Sequence, residues 1–304
     1  MYAILRIVGR IVAVTGLLAG LAAGYGSGAR AGTAVDLALV MAIDVSGSVD
    51  ETEARLQRQG YVAAFSHPEV IAAIRSGTLG RIAVLYFEWS DYSHQSLVVD
   101  WTVIDSDTAA RAFSTLLAET PISRGRRTSI SGAIDFGVAQ FSRSPFDGTR
   151  KVIDISGDGP NNSGPTVTSP RDGALAQGIT INGLPVVNDR MDPYGAPQMP
   201  DLDRYYLACV IGGPGSFIVV AKDFHDFANA VRRKLVLEIA GGEPDARHAS
   251  NQSVPAQLRI AQAAPAPLPQ YGRSPQAIFP PGCDAGERYM RQRFLDFNSG
   301  GGFR

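Results

Sequence analysis

The stretch "LALVMAIDVSGSVDETE", residues 37–53, decides the fold of this chain and the place of its functional site. An apolar run ends at Asp44, Ser46 and Ser48 follow at alternate positions, and an acidic helix start comes next. A continuously apolar run is typical of a central strand in a parallel sheet, which is buried on both faces. A carboxylate at the end of such a strand is costly unless it is paired or bound to a cation. The stretch therefore predicts a buried strand whose carboxyl end carries a polar site.

Strand-like and helix-like segments alternate from residue 35 to residue 240. The predicted strands cover residues 35–43, 81–89, 94–104, 151–156, 179–187, 205–212 and 217–221. The predicted helices cover residues 50–75, 107–119, 128–141, 169–177 and 223–240. This alternation predicts an α/β fold with a doubly wound, mainly parallel sheet flanked by helices, in which segment 94–104 is a candidate antiparallel edge. Ligands of such sheets bind outside the carboxyl ends of the strands.

The chain of 304 residues suits one large domain, predicted over residues 35–241, with an extension at each end. Residues 1–31 contain a positive start with Arg6 and Arg10, then a short apolar run, then the sequence "ARA", a pattern typical of a secretory signal peptide cleaved after Ala31. The alternative, an uncleaved membrane anchor, is less favoured because a span needs roughly 20 apolar residues. We therefore expect an exported protein, periplasmic or extracellular, with no membrane span after cleavage.

The last part of the chain, residues 242–304, is rich in Pro, Gly and Ala, and is predicted to be a mostly flexible extension with a short helix over 287–297. Two cysteines are present, Cys209 and Cys283. Export would permit a disulfide between them, whereas the apolar surroundings of Cys209 also suit a buried free thiol. The sequence leaves these two alternatives open.

The net charge of the chain argues against nucleic-acid binding. The formal net charge is -1 and the isoelectric point is about 6.4. No basic field is available to neutralise phosphates, so nucleic-acid binding is not expected.

A second carboxylate is expected near Asp44, from the stretch "KVIDISGDGPNN" over residues 151–162. Asp158 follows the predicted strand in a glycine-bracketed turn, whereas its rival Asp154 lies inside the strand. Thr128 adds a hydroxyl at the start of another helix. Carboxylate and hydroxyl oxygens are the ligands that a small hard cation prefers.

Each of these polar residues also has a purely structural interpretation. Ser48-x-x-Glu51 fits a capping box at a helix start, and Thr128 fits an ordinary N-cap. Neither interpretation explains Asp44. Taken together, the polar residues fall at strand-to-helix or loop-to-helix junctions on one predicted rim of the sheet.

The set Asp44-x-Ser46-x-Ser48, then Thr128, then Asp158-Gly159, resembles the metal-ion-dependent adhesion site of von Willebrand factor type A domains. The turn reads Gly157-Asp158-Gly159 where that family usually has Thr-Asp-Gly. The resemblance covers roughly residues 35–241, and "SGDGPNNSGP" and "CVIGGPGSF" look like an uncharacterised exported bacterial branch of the family.

This resemblance implies a six-stranded, mainly parallel sheet and a non-catalytic protein-binding module. It implies Mg²⁺ (or Mn²⁺) bound directly by three hydroxyls, and bound by two carboxylates either directly or through water. A protein partner, which the sequence does not identify, would supply an acidic residue to an open coordination position. The implied ligands are Asp44, Ser46, Ser48, Thr128 and Asp158.

Two other functions fit part of the sequence. A phosphatase of the haloacid dehalogenase type would use Asp44, Thr128, Lys151 and the "GDGPNN" turn in that order. That chemistry requires a second carboxylate two residues after the nucleophile, and Ser46 stands there instead. The remaining alternative is an interaction protein that binds partners through its rim loops or tail without a metal. We therefore expect a protein that is not an enzyme.

Overall fold

The computed structural model describes residues 32–187, 198–199, 201–224, 226–241 and 282–298. The predicted signal peptide and most of the predicted C-terminal extension lie outside the described residues. The strands are β1 (Thr33–Asp44), β2 (Ile82–Trp89), β3 (Gln95–Ile104), β4 (Phe146–Gly157) and β5 (Thr180–Pro185). The helices are α1 (Glu51–Phe65), α2 (Pro68–Arg75), α3 (Asp107–Glu119), α4 (Ile130–Phe141), α5 (Thr168–Leu175), α6 (Leu202–Tyr205), α7 (Phe227–Ala240) and α8 (Ala285–Asn298), and a π-helical turn, Tyr206–Val210, follows α6.

The strands form one sheet in the order β3-β2-β1-β4-β5. Strand β1 is central and pairs in parallel with both β2 and β4, and β4 pairs in parallel with β5. Strand β3 pairs antiparallel with β2 at one edge, as its segment predicted. The α/β, mainly parallel architecture predicted from the sequence is confirmed.

Helices cover both faces of the sheet, because the side chains of β1 alternate between two apolar cores. Leu39 and Met41 belong to the core formed with α1, α3 and α7. Val40 and Ala42 belong to the core formed with α4, α5 and the π-helical turn. Burial on both faces is the reason that the β1 sequence is continuously apolar.

The expected sixth strand is not formed in the described part of the chain. Segment 205–212, predicted as a strand, is helical up to Val210, with Tyr205, Tyr206, Cys209 and Val210 buried at helical spacing. Segment 217–221 runs beside β5 but forms only isolated parallel bridges. A short apolar run fits a strand or a buried helix equally well, and only its packing decides between them.

A disulfide joins Cys209, in the π-helical turn, to Cys283, two residues before α8. Of the two alternatives that the sequence left open, the structure has the disulfide. The helix predicted over residues 287–297 is present as α8. None of the helices that the structure describes is both long and apolar enough to cross a membrane.

Candidate metal site

The carboxyl ends of β1 and β4 bring two carboxylates to one rim of the sheet. Asp44 is the last residue of β1, and Asp158 directly follows β4. The strands are parallel neighbours, with Ile43 opposite Ser156, so their ends lie side by side. The topology therefore places residues distant in sequence at one rim, where α/β sheets bind ligands.

All five predicted site residues lie in one hydrogen-bonded group. The backbone N–H of Ser46 donates to Asp44 Oδ1 at 2.7 Å, and Ser46 Oγ lies 3.1 Å from Ser48 Oγ. The Ser48 hydroxyl donates to Asp158 Oδ1 at 2.6 Å. The Thr128 hydroxyl donates to Ser46 Oγ at 3.3 Å. Three hydroxyls and two carboxylates thus converge on one small region.

Electrostatics at the site favour a cation. Asp44 is fully buried, and its Oδ2 is buried without a hydrogen-bond partner. Burial raises the pKa of the Asp44 carboxyl well above its usual value, and the nearby Asp158 carboxylate raises it further. Hydrogen bonds from Ser46 and from the backbone of Asp158 oppose these effects but do not cancel them. A cation would satisfy the unpartnered oxygen and relieve the repulsion between the two carboxylates.

The residues present fit a small hard cation such as Mg²⁺ or Mn²⁺, because they offer carboxylate and hydroxyl oxygens only. No group of three or more His, Cys, Asp and Glu residues in the described part of the chain is placed to hold a metal. Any ion held at this rim would therefore depend on the hydroxyls of Ser46, Ser48 and Thr128 in addition to the two carboxylates.

Ser48 does not cap α1, contrary to the capping interpretation of its sequence. The N-cap of α1 is Asp50, whose side chain accepts hydrogen bonds from the backbone at Thr52 and Glu53. The Asp50 backbone N–H in turn donates to the Glu53 side chain, which completes a capping box. Ser48 is thereby left to bond Asp158.

Thr128 is likewise not the N-cap of its helix. Ser129 caps α4, with its hydroxyl accepting a hydrogen bond from the N–H of Gly132. The Thr128 backbone is instead held by Asn162: the N–H of Thr128 donates to Asn162 Oδ1 at 2.9 Å, and the N–H of Asn162 donates to the Thr128 carbonyl at 2.8 Å. The Thr128 side chain is therefore turned toward Ser46.

Several residues that support the site were not predicted from the sequence. Asn162 holds Thr128, and Asn161 Oδ1 accepts a hydrogen bond from the N–H of Ser131 in the first turn of α4. Gln57 Nε2 donates to the Asp44 carbonyl at 2.9 Å, and Gln198 Nε2 donates to Asp158 Oδ2 at 3.0 Å. The two asparagines lie within the "GDGPNN" stretch, so their proximity to Asp158 in sequence was a usable signal.

Asp154, the rival carboxylate, is part of a different cluster. It lies inside β4, and its Oδ1 is 2.6 Å from the Lys234 ammonium, which is also 2.6 Å from Glu238 Oε1. All three residues are buried. Burial, followed by the Glu238 charge, raises the pKa of Asp154 to about 7. Asp154 therefore pairs within the core and is not directed to the rim.

Positive charge lies on the surface next to Thr128. Arg126 and Arg127 are exposed, and the backbone carbonyl of Arg126 accepts a hydrogen bond from the N–H of Gly47. Arg124 donates to the carbonyl of Val49 at 3.1 Å. The arginine-rich loop is thus bonded to the loop that carries Ser46 and Ser48.

Lys151, which a phosphatase of the haloacid dehalogenase type would need beside the nucleophile, lies far from this rim. It pairs with Ala38 across the β1–β4 ladder, six positions before Gly157. At roughly 3.3 Å per residue the separation along the strand is about 20 Å. Lys151 is one of the residues that line a 430 Å³ cavity, together with others of the amino-terminal half of β4, the start of β5 and the end of α7.

The mainly parallel sheet and the helices on both of its faces form an α/β fold like that of von Willebrand factor type A domains. Over residues 34–243 the sequence matches the family described as "Protein of unknown function (DUF1194)", and the chain belongs to this family. No curated protein matches the chain significantly.

Several solved structures resemble the chain at low sequence identity. The pilus adhesin SpaC from Lactobacillus rhamnosus GG has a TM-score of 0.50 and 13% identity, over 69% of this chain and 31% of the adhesin. Proximal thread matrix protein 1 from the mussel byssus has a TM-score of 0.46 and 11% identity, over 69% of this chain and 48% of the mussel protein. BatB from Bacteroides thetaiotaomicron has a TM-score of 0.46 and 16% identity, over 67% of this chain and 98% of BatB. The chain thus spans about half of the mussel protein and less of the adhesin.

Proposed function

We propose that this protein is an exported, non-catalytic module that binds a protein partner through a Mg²⁺ or Mn²⁺ ion. The ligands would be the hydroxyls of Ser46, Ser48 and Thr128, with Asp44 and Asp158 acting directly or through water. The observation that carries the proposal is the convergence of these five side chains around a buried Asp44 Oδ2 that has no hydrogen-bond partner. A buried, unpartnered carboxylate oxygen is costly, and a divalent cation offsets that cost.

The partner would contribute an acidic side chain. When bound, the ion would supply a coordination position, otherwise filled by water, that a carboxylate of the partner takes. The exposed Arg126 and Arg127 beside Thr128 would attract the same acidic surface before contact. Ser48 is the partly exposed member of the five, so it marks the side from which a partner would approach.

Phosphatase chemistry is not favoured by the site. Ser46 stands where the general acid/base should be, and a hydroxyl does not transfer protons efficiently near neutral pH. Lys151 lies about 20 Å along β4 from the rim, so it is not available to a phosphate bound at Asp44.

Export is supported by the disulfide. Bonds such as Cys209–Cys283 persist in oxidising compartments and are rare in the cytosol. A periplasmic or extracellular location agrees with the signal-peptide pattern of residues 1–31, which remains a prediction.

The test is calorimetric titration of Mg²⁺ and Mn²⁺ into the protein, purified after expression from its full sequence, beside Asp44→Ala. We expect binding to the wild type and loss of binding in the variant, because one of the two carboxylates is removed. Asp147→Ala, which removes an exposed carboxylate on β4, is the matched control and should bind like the wild type. Undiminished Mg²⁺ affinity in Asp44→Ala would overturn the assignment.

A second experiment addresses the partner. Proteins captured from the native exported fraction would be compared in Mg²⁺, in EDTA, and with Asp44→Ala as bait. A specific partner that needs both the metal and Asp44 supports the proposal. A partner that is retained equally in EDTA would instead support binding through the rim loops without a metal.

A further inference from the structure

The structure ties a segment near the end of the chain to the loop that carries Asp158. Residues 282–292, here called the C-terminal clasp, comprise the approach to α8 and its first turns. Cys283 anchors the clasp to Cys209, and both cysteines are buried. The bond joins positions separated by 74 residues in sequence, so it holds the clasp against the domain independently of the chain between them.

The first turn of α8 lies directly on the Asp158 loop. Glu287 Oε1 accepts a hydrogen bond from Asn161 Nδ2 at 2.7 Å. Gly286 lies so close to this loop that a Cβ added there would be 2.1 Å from the Asn161 carbonyl oxygen. Only a glycine permits this approach of helix and loop, so the contact depends on residues of both segments.

Asn161 links the loop that carries Asp158 to the start of α4, next to Thr128. Its Oδ1 accepts from the N–H of Ser131 at 2.9 Å, and its Nδ2 also donates to the Pro165 carbonyl at 3.0 Å. Its own N–H donates to the Tyr205 hydroxyl at 3.2 Å. The residue is fully buried, so its orientation is set by these bonds and by the one to Glu287.

The neighbouring Asn162 holds Thr128 through two hydrogen bonds. Thr128 and Asp158 therefore belong to one bonded unit, which comprises loop 158–165 and the start of α4. Glu287 is not one of the five candidate ligands, and its hydrogen bond to Asn161 acts on this unit from outside that set. It bonds Asn161, which lies three residues after Asp158 and adjacent to Asn162.

We propose that the disulfide-anchored C-terminal clasp positions the metal site, with Glu287 as the positioning residue that fixes Asn161 and thereby the loop carrying Asp158. This inference rests on the proposed metal-binding function, and it extends the functional unit beyond residue 243, where the family match ends. Bonds from outside the ligand set orient ligands and change metal affinity typically 10–100-fold in proteins.

The test compares the wild type with Glu287→Ala, Glu287→Gln and the double variant Cys209→Ser/Cys283→Ser. Glu287→Gln keeps an oxygen that accepts from Asn161 and should behave like the wild type. Arg291→Ala is the matched control, since it changes an exposed residue of the same helix. Melting temperatures confirm that each variant is folded at the temperature of the assay.

Two measurements distinguish the effect of the clasp on the loop from its effect on metal binding. The first is amide hydrogen exchange in EDTA, which needs no metal, measured over loop 158–165 and residues 128–131. We expect exchange there to be about tenfold faster in Glu287→Ala and in the double variant, and unchanged in Glu287→Gln and Arg291→Ala. The second is Mg²⁺ affinity by calorimetry, which should fall about tenfold in the same two proteins.

The outcomes are distinct. Faster amide exchange in Glu287→Ala, with rescue by Glu287→Gln, supports the proposal that the clasp fixes the loop carrying Asp158. It does so even if the wild type itself binds no Mg²⁺ and the proposed function fails. Amide exchange at wild-type rates in Glu287→Ala overturns the proposal that the clasp fixes this loop. Mg²⁺ binding to the wild type and to Glu287→Ala with equal affinity also overturns it, while leaving the metal site itself intact.

Discussion

Replacing Asp44 by Asn should stabilise the metal-free protein and remove its response to Mg²⁺. The carboxylate is fully buried, its Oδ2 has no hydrogen-bond partner, and Asp158 raises its pKa further. An uncompensated buried polar group costs about 1–3 kcal/mol, and more when it is charged. Asn keeps the oxygen that accepts from the Ser46 N–H and removes the charge.

In EDTA at pH 8 the Asp44→Asn variant should therefore be more stable than the wild type by about 1–3 kcal/mol. For a domain of this size each kcal/mol corresponds to about 2–4 °C in melting temperature, so the expected increase is about 2–12 °C. In Mg²⁺ at about 100 times its dissociation constant, the wild type should gain about 2.7 kcal/mol, whereas the variant should gain far less. The variant would thus be the more stable protein in EDTA, whereas the wild type would be the protein that Mg²⁺ stabilises more.

The assay is thermal unfolding of both proteins in EDTA and in a series of Mg²⁺ concentrations. Asp147→Asn, an exposed carboxylate on β4, is the control and should melt like the wild type in both conditions. A variant that is less stable than the wild type in EDTA would contradict the argument that the buried charge is costly. A variant that keeps the full Mg²⁺ increment would contradict the role of Asp44 as a ligand.

Three further predictions follow from the same contacts. Thr128→Ala should weaken Mg²⁺ binding about tenfold, whereas Thr128→Ser should retain it because Ser keeps the hydroxyl. Calorimetry measures both Mg²⁺ affinities, and equal affinities of the two variants would exclude Thr128 as a ligand. Mg²⁺ affinity should rise with pH, because the raised pKa of Asp44 means that protons compete with the ion. Calorimetric titrations in buffers of different ionisation enthalpy should detect protons released on binding, and the absence of proton release would contradict this prediction. The folded protein should hold a proton on Asp154 up to about pH 7, whereas the unfolded chain releases it near 3.8, so stability should fall as pH rises between these values. Asp154→Asn should flatten that slope in urea denaturation, and an unchanged slope would assign it to other groups.

Much of the candidate site could be predicted from local sequence. The end of the apolar run at Asp44 and the alternation of Ser46 and Ser48 are features of one short segment, and burial of β1 on both faces explains the apolar run. Asp158 and Thr128 followed from the rule that ligands bind at the carboxyl ends of parallel strands. The structure brings all five side chains together, and their role as metal ligands stays a prediction.

The capping residues could not be assigned in this way. Ser48 and Asp50 are both good N-caps, and their sequence context permits either. Ser48 bonds Asp158, a residue 110 positions away, and Asp50 is left to cap α1. That choice depends on a contact that exists only once β1 and β4 are paired.

The sequence by itself determined the order of the five strands of the sheet, the central position of β1 and the polar rim at its end, because these depend on hydrophobic periodicity and on residues that are close along the chain. Only the tertiary structure decided that residues 205–210 are helical, that Cys209 pairs with Cys283, and that Glu287 holds Asn161. Each of these depends on which distant segments pack together, and a free energy that arises from long-range packing leaves no periodic signal in the local sequence.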